Sequence, residues 1–289
     1  MKYILGSLIG KGSDGEVYEV VGKDKIIKFI QPQMYGFENY LEAYILLNLI
    51  HLNLMNADLI EIDNNGLIKI VQRKAECDLG ILLHSKKLSK KERLKYIKDL
   101  VNGVAFLNSH GIIHGDIKPT NLLIFKGVVK LNDFSLTRLN SYERTNKKLY
   151  TYIYRPPECF FNKISLKSDI WALGCTIYEI YYGQPYHSVN VDNILYHLPC
   201  PSYYNPENEK FNGLLSKMIC EDRINIDEVC AFFKIKPCPK KELKIDFDVL
   251  CSKVFSNKVE HLIGKIKMNK EELLKEKKLF AEKLKSLIE

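Results

Sequence analysis

Short apolar runs separated by turn residues occupy the first 75 residues of the chain. Three of them, YILGSLIG, EVYEVVG and KIIKFI, are typical of β-strands, and a fourth, LIEIDNNGLIKIVQ, is divided by an Asn-Asn-Gly turn. Just before the fourth run, four apolar residues follow the spacing of one helix face: Phe37, Leu41, Tyr44 and Ile45. The pattern predicts a mostly antiparallel sheet with one amphipathic helix.

The character of the chain changes after Asp78. Residues 79–110 and 167–235 have helical periodicity, and a loop-rich stretch, HGDIKPTNLLIFKGVVKLNDF, lies between them. We therefore predict an α+β fold with two lobes. A small antiparallel β lobe with one main helix spans residues 1–75, and a larger, mainly helical lobe spans residues 76–240.

Residues 241–289 are rich in lysine and glutamate and are predicted to form a basic, helical C-terminal tail. Asn269 and Glu272 have the spacing of a capping box that opens a helix. One line of this helix is apolar at every seventh residue, whereas the companion line through Lys270 and Lys277 is charged. Such a half-formed seam favours packing on the tail's own domain over a coiled coil, which needs two apolar lines. The apolar line consists of Val259, Ile266, Leu273, Phe280 and Leu287.

Composition and charge exclude several classes of protein. The 289 residues are 46% apolar and 27% charged, which argues against intrinsic disorder and collagen-like repeats. The net charge of +8 is spread along the chain, as on a solvated surface, so a nucleic-acid partner is disfavoured. The first apolar run is broken by Gly6 and Gly10, and no later run reaches about 18 residues, so we expect neither a signal peptide nor a membrane partner.

The eight cysteines are scattered and never spaced as Cys-x-x-Cys. This spacing argues against a zinc ribbon or thioredoxin chemistry. It favours a reducing, intracellular compartment, without distinguishing cytoplasm from nucleus.

A glycine-rich segment at residues 10–17 reads Gly-Lys-Gly-Ser-Asp-Gly-Glu-Val. Glycines at this spacing let backbone amides approach phosphate oxygens. The motif alone is also compatible with an ordinary turn. A dinucleotide-binding fingerprint would continue as a helix, whereas a strand-like run follows here, so the segment predicts a β-hairpin flap over phosphates.

Lys28 lies within an apolar strand, where an inward-facing ammonium needs an anionic partner. Glu38 and Glu42 are one turn apart on the predicted helix, and either could supply that partner. The pair would hold the ammonium where nucleotide phosphates can meet it. An exposed strand lysine is the alternative interpretation.

The loop-rich stretch gathers polar side chains suited to phosphoryl chemistry. Asp116, Lys118 and Asn121 lie within His-Gly-Asp-Ile-Lys-Pro-Thr-Asn, and Asp133 follows in Asp-Phe-Ser. Asn121 and Asp133 offer the hard oxygen ligands that Mg²⁺ prefers. Asp116 could orient a hydroxyl group and accept its proton. Aspartate and asparagine, taken one at a time, are also common in turns.

Together, the glycine flap, strand lysine, helix glutamate, H-x-D-x-K-x-x-N and D-F-x segments resemble the signature of the eukaryotic protein kinase superfamily, serine/threonine type. The resemblance covers about residues 3–235. It implies the two-lobed protein kinase fold, ATP as phosphate donor, Mg²⁺ or alternatively Mn²⁺ as cofactor, and a protein substrate. It also leaves room for a regulatory partner at the helix of the small lobe or at the tail.

The resemblance implies a role for each site residue. Asp116 is the catalytic base, Lys118 lies near the γ-phosphate, Asn121 and Asp133 bind the metal, and Thr151 matches the serine/threonine pattern. Within the nucleotide site Glu42 fits better than Glu38 as the partner of Lys28, Gln72 is in the gatekeeper position, and Asp78 lies near the ribose. The nucleotide site consists of Ile9, Gly10, Lys11, Gly12, Ser13, Asp14, Gly15, Val17, Lys28, Glu42, Gln72, Asp78 and Leu123.

The segment from Thr151 to Glu158 resembles the substrate-binding loop and the A-P-E motif, with Pro156 in place of alanine. Glu158 is then expected to pair with Arg223. The Y-R-x-P-E form resembles cyclin-dependent and MAP kinases, whereas H-G-D resembles vaccinia-related kinases. The subgroup is therefore open.

Besides Pro156, four residues depart from the family pattern. Gly115 replaces the arginine of H-R-D that pairs with an activation-loop phosphate, so we predict activity without a phosphorylated loop. Ser135 replaces the glycine of D-F-G and disfavours flipped inactive states. Asp14 at the flap tip predicts weaker nucleotide binding, and Ile26 narrows the adenine pocket. The activation segment nevertheless holds hydroxyl groups at Ser141, Thr145, Tyr150 and Thr151.

These departures keep a second hypothesis open, a pseudokinase that binds ATP or serves as a scaffold without turnover. The intact lysine, glutamate, aspartate and asparagine positions favour an active enzyme. A kinase-fold enzyme acting on a small molecule is disfavoured by Thr151 and the substrate-binding segment.

Overall fold

The computed structural model describes residues 3–12, 15–30, 37–62, 67–140, 150–161, 163–187, 208–241 and 243. Within these ranges the chain forms two compact units. The first unit contains the described parts of residues 3–50 and 56–74, and the second contains residues 51–55 and the described parts of 75–243. The domain limits drawn from the sequence stay predictions.

Several features predicted from the sequence lie outside the described residues. They are the flap tip, the Asn-Asn-Gly turn, one candidate glutamate side chain, part of the activation segment, two cysteines and the C-terminal tail with its repeat. The residues concerned are Ser13, Asp14, 63–66, Glu38, Ser141, Thr145, Cys200, Cys251 and 244–289.

The first unit is an antiparallel sheet with one helix. Its strands pair in the order β1-β2-β3-β5-β4. The inner face of helix α1 buries Leu41, Ile45 and Leu46, as its apolar spacing predicts. The elements are β1 (Leu5–Gly12), β2 (Gly15–Val20), β3 (Lys25–Ile30), α1 (Phe37–Asn48), β4 (Leu59–Ile62) and β5 (Ile68–Arg73).

Gly15 opens β2 at a point where the backbone passes very close to β3. A Cβ atom on Gly15 would lie 1.9 Å from the carbonyl oxygen of Phe29, far inside contact distance. At Gly10 a Cβ atom would meet only the side chain of Val17, at 3.8 Å. Packing of the sheet therefore requires glycine at Gly15 but not at Gly10.

The second unit is mainly helical. Its short strands form two small sheets, β6-β8-β9 and β10-β7. Strands β6 to β10 span Cys77–Asp78, Ile112–Ile113, Leu122–Phe125, Val128–Leu131 and Arg138–Leu139. Helices α2 to α6 span Leu79–Ser85, Lys90–Ser109, Leu166–Tyr182, Glu209–Met218 and Ile226–Phe233.

Local signals define the two longest helices of the second unit. A reciprocal capping box between Ser89 and Glu92 begins α3. Helix α4 begins at the N-cap Ser165 and ends at Gly183, whose φ of 82° is left-handed and suits glycine. Residues on every side of α4 are buried, with Trp171 fully enclosed, so this helix forms the centre of the unit.

The segment 51–55 belongs to the second unit because Asn53 fastens it there. The Asn53 side chain donates to the carbonyl of Val129 at 3.0 Å and accepts from Asn102 of α3 at 2.9 Å. Its backbone carbonyl accepts from Leu131 N–H at 2.8 Å. A Cβ atom on Gly103 would lie 2.9 Å from that same carbonyl oxygen, so α3 and the segment are in tight contact.

The predicted fold class is confirmed, since an antiparallel β unit with one helix accompanies a mainly helical unit. No helix within the described part of the chain is long and apolar enough to cross a membrane. The described cysteines all carry free thiols.

Candidate active site

The loop between β7 and β8 brings together the four residues predicted to be catalytic. Thr151 donates to Asp116 Oδ1 from its backbone N–H at 2.9 Å and from its hydroxyl at 2.8 Å. Asp116 Oδ2 accepts from Asn121 Nδ2 at 3.0 Å and lies 2.6 Å from Lys118 Nζ. The Asp116 carboxylate is therefore held at both oxygens, and the catalytic roles of the four residues stay predictions.

The Thr151 hydroxyl accepts one hydrogen bond and donates another. Lys118 Nζ donates to Thr151 Oγ1 at 2.6 Å, while the same hydroxyl donates its proton to Asp116. A hydroxyl between a cation and an anion accepts from the first and donates to the second. Thr151 thus connects the charges of Lys118 and Asp116.

His114 is fully buried and stabilises the loop through hydrogen bonds of both ring nitrogens. Its Nδ1 accepts the backbone N–H of Asp116 at 3.2 Å, and its Nε2 lies 3.0 Å from the carbonyl of Asn132. This pattern assigns the ring proton to Nε2. The His114 ring also packs edge-on against Phe134, with ring centroids 5.3 Å apart. The order of the loop therefore depends on the segment that carries Asp133.

Asn121 and Asp133, the predicted metal ligands, lie at the same end of the β8-β9 hairpin. Asn132 N–H donates to the Asn121 carbonyl at 2.9 Å, and Asp133 follows with a φ of 63°. Asn121 uses Nδ2 for both of its bonds to Asp116, which leaves Oδ1 as its ligand atom. The described residues contain no cluster of three His, Cys, Asp or Glu side chains that could hold a metal ion. An amide and a carboxylate oxygen fit Mg²⁺, which binds through few protein ligands.

In the first unit, Lys28 of β3 and Glu42 of α1 form an ion pair. Lys28 Nζ lies 2.7 Å from Glu42 Oε1, and their side chains are 15% and 2% exposed. At such low exposure each charge needs the other. The strand lysine is therefore directed inward, and Glu42 is its carboxylate partner.

The other first-unit residues predicted for the nucleotide site follow from strand register. Gly10 is paired with Val17, and Val17 with Lys28, so these three lie in a row across the sheet. Lys11 forms an exposed ion pair with Glu16 at 2.9 Å. Of the remaining predicted residues, Gly12 ends β1, Gly15 begins β2 and Ile9 is 48% exposed.

Gln72 is the buried polar residue of β5. Its side chain is 2% exposed, and its Nε2 finds no hydrogen-bond partner among the described residues. A buried amide without a partner is costly, so a ligand acceptor would stabilise it. Ile26, which replaces the alanine of the family pattern, is the register partner of Gln72.

Asp78 and Leu123, the second-unit residues predicted for the nucleotide site, are opposite each other in the β6-β8 pair. Asp78 Oδ1 accepts Ile81 N–H at 2.9 Å and is the N-cap of α2. One oxygen of Asp78 therefore has a structural role that the sequence analysis did not predict.

Ser135, in the glycine position of D-F-G, is buried and is not among the residues with positive φ. The left-handed backbone of this segment is at Asp133 instead. The serine side chain is thus compatible with the conformation described here.

The predicted pairing of Glu158 with Arg223 is confirmed. Arg223 donates from Nη1 and Nη2 to the two carboxylate oxygens at 2.6 and 2.8 Å. Burial raises the pKa of Glu158, but the guanidinium hydrogen bonds and charge outweigh it and hold that pKa below its usual range. Arg223 also stacks over Trp171, with its guanidinium carbon 4.8 Å from the ring centroid. The pair fastens the end of the predicted substrate-binding segment to the core.

From the sequence, Tyr150 is predicted only to be one hydroxyl of the activation segment. In the structure Tyr150 is buried, and its hydroxyl contacts Asp169 of α4. No periodic pattern marks this position, because it lies outside any helix or strand. Its proximity to Thr151 was the available signal.

Comparison with known proteins assigns the family. The model described as the protein kinase domain matches residues 3–232. The dual specificity protein kinase Ttk of Danio rerio is 27% identical over 65% of this chain, and a probable cell division protein kinase of Encephalitozoon cuniculi is 31% identical over 64%. The cyclin-dependent kinase-like 2 of Pongo abelii is 32% identical over 68%.

The alignments cover 22%, 73% and 43% of these three relatives, so the chain spans well under half of the first. Since the family model matches most of the chain, the chain belongs to the eukaryotic protein kinase superfamily, serine/threonine type. The family predicted from the sequence is confirmed.

Proposed function

We propose that this protein is a serine/threonine protein kinase that transfers the γ-phosphate of ATP to a protein hydroxyl. The observation that carries the proposal is the cluster of Asp116, Lys118, Asn121 and Thr151, in which one carboxylate, one ammonium and one hydroxyl lie within 2.8 Å of each other. Carboxylate and ammonium so placed serve opposite ends of one transfer step.

Asp116 orients the substrate hydroxyl and accepts its proton as the new oxygen–phosphorus bond forms. The bond from the γ-phosphorus to the β,γ-bridging oxygen breaks, and ADP leaves with that electron pair. Lys118 places a positive charge beside the transferred group. Thr151 keeps the Lys118 ammonium and the Asp116 carboxylate in register during the step.

The first unit supplies Lys28 for the α- and β-phosphates, held by Glu42. The Nε2 of Gln72, which has no hydrogen-bond partner in the described part of the chain, and the open backbone at Gly10 fit a nucleotide ligand. The second unit supplies Asn121 and Asp133 as ligands for Mg²⁺ or Mn²⁺. The metal ion, when bound, neutralises charge on the phosphate oxygens. The regulatory partner predicted at α1 or at the tail is a further proposal.

The test is transfer of labelled γ-phosphate to a generic acceptor protein by wild type, Asp116→Asn and Lys28→Met. We expect transfer by wild type alone. Equal signal from all three proteins would identify a contaminating kinase. Binding of Mg²⁺-ATP without any transfer would support the pseudokinase hypothesis and overturn the proposal.

A further inference from the structure

Tyr150 is an unusual residue of the second unit. It is 2% exposed although it lies in a segment outside any helix or strand. Its φ of 63° is left-handed, a conformation that a bulky aromatic residue rarely adopts. Such backbone strain persists only where surrounding contacts determine the conformation.

Four hydrogen bonds hold Tyr150 in this backbone conformation. The Tyr150 N–H donates to the carbonyl of Gly115 at 2.7 Å, and the hydroxyl donates to Asp169 Oδ1 at 2.9 Å. The Tyr150 carbonyl accepts from Arg155 Nη2 at 2.7 Å and from Arg155 Nε at 3.2 Å. Every polar group of Tyr150 is therefore engaged.

Asp169 joins Tyr150 to the catalytic loop. Besides the tyrosine hydroxyl, its carboxylate accepts the backbone N–H of His114 at 2.6 Å and that of Gly115 at 3.1 Å. Burial raises the pKa of Asp169, while these donors partly offset the effect. A buried carboxylate depends on each donor that it has, because no water replaces a lost one.

Two hydrogen-bonded residue pairs lie next to each other. Gly115 is hydrogen-bonded to Tyr150. Asp116, which follows Gly115, is hydrogen-bonded to Thr151, which follows Tyr150. The Tyr150 hydroxyl adds a third contact, because it donates to Asp169, which also accepts the backbone N–H groups of His114 and Gly115. Displacement of Tyr150 would therefore move the donor that holds Asp116 Oδ1.

We infer that Tyr150 is a positioning residue for the phosphoryl transfer, whose buried hydroxyl locks the end of the activation segment onto the loop that carries Asp116. The inference rests on the proposed function. The lock uses a neutral hydroxyl and a buried carboxylate already present in the chain, so it closes without a phosphate. Gly115, which has no side chain, contributes only its backbone N–H and carbonyl to it.

The test compares wild type, Tyr150→Phe and Tyr182→Phe, each treated with phosphatase and assayed where it is folded. Tyr182→Phe is the matched control, because its hydroxyl also donates one hydrogen bond, to Asn212 at 2.5 Å, away from the loop. We expect Tyr150→Phe to lower kcat about tenfold with the KM for ATP within twofold of wild type. We expect Tyr182→Phe to keep the wild-type kcat.

Amide hydrogen exchange supplies a readout that needs no activity. In Tyr150→Phe the amides of His114, Gly115, Tyr150 and Thr151 should exchange at least tenfold faster than in wild type, and in Tyr182→Phe they should not. If Tyr150→Phe does not fold, Arg155→Lys replaces it, since this change loosens the Tyr150 carbonyl without touching the buried ring.

The outcomes separate the two claims. If wild type transfers no phosphate even before phosphatase treatment, the proposed function fails, and the exchange rates alone decide the inference. Unchanged kcat or unchanged exchange in Tyr150→Phe overturns the inference, as does an equal loss of kcat in both variants. Loss of wild-type transfer after phosphatase treatment overturns the claim that the lock closes without a phosphate.

Discussion

Replacing Thr151 by valine tests the cluster around Asp116 with a single hydroxyl. The change removes the oxygen that accepts from Lys118 at 2.6 Å and donates to Asp116 at 2.8 Å. The backbone N–H of residue 151 still reaches Asp116 Oδ1, and Lys118 still lies 2.6 Å from Oδ2. The variant therefore loosens the cluster without dismantling it.

The magnitude follows from these distances and from burial. Hydrogen bonds to charged groups each contribute about 1.5–3 kcal/mol. The Lys118 and Asp116 side chains are 21% and 8% exposed, so water replaces the lost hydroxyl only in part. Because both charges keep a second contact, we expect a net loss of about 2 kcal/mol of transition-state stabilisation. This corresponds to a fall in kcat of about thirtyfold.

The assay is steady-state phosphate transfer with Thr151→Val, Thr151→Ser and Thr120→Val. Serine keeps the hydroxyl and should retain kcat within a few-fold of wild type. Thr120 is an exposed threonine of the loop between β7 and β8, so its replacement by valine controls for the substitution itself. The KM for ATP should stay constant, because the described side-chain partners of Thr151 are Asp116 and Lys118, and of these only Lys118 is predicted to lie near a phosphate.

Two results would refute this reasoning. A kcat for Thr151→Val within threefold of wild type would mean that the hydroxyl does not align Lys118 with Asp116. A fall of the same size in Thr151→Ser would mean that the methyl group, and not the hydroxyl, is responsible.

Three further predictions concern stability. Gly15→Ala should lower the free energy of unfolding by about 1–3 kcal/mol in denaturant titrations, whereas Gly10→Ala should leave it unchanged and raise only the KM for ATP; equal stabilities would contradict the steric argument. Because the pKa of Glu158 is lower in the folded than in the unfolded protein, this residue stabilises the fold above its ordinary pKa of 4.5, and that stability is lost as pH falls through the folded pKa. Glu158→Gln should therefore lose less stability than wild type below pH 4.5 in acid unfolding curves. Parallel curves for the two proteins would contradict this role of Glu158. Lys28→Met removes the ammonium 2.7 Å from a buried carboxylate and should cost about 3–5 kcal/mol, which adding Glu42→Leu should recover without restoring transfer; recovery of transfer would show that the lysine acts only structurally.

Local patterns in the sequence account for most of the architecture. Short apolar runs bounded by turn residues identified the strands of the first unit, and helical spacing at Leu41 and Ile45 identified α1 with its buried face. The same helix offered Glu38 and Glu42, one turn apart, as partners for Lys28, and the kinase resemblance favoured Glu42, which forms the ion pair. Both are short-range properties that one sequence reports directly.

Contacts without a periodic pattern could not be predicted. Nothing in the neighbourhood of Tyr150 indicates burial, because its partner Asp169 is 19 residues further along the chain. The capping role of Asp78 competes with a ligand role that the same residue type would also serve. The steric need for Gly15 arises from a neighbouring strand, and sequence alone assigned all the flap glycines to phosphate binding.

Helix α4, buried on every side, is synthesised well after α3, the helix against which it packs. Helix α3 ends at Ser109, and the last residue of α4 is Tyr182, so the ribosome adds 73 residues between them. At about 5–20 residues per second this takes roughly 4–15 s. Throughout that interval the apolar face of α3 lacks its central partner in the nascent chain. Chaperones that shield hydrophobic segments during translation should therefore bind the emerging second unit before α4 appears and release it afterwards.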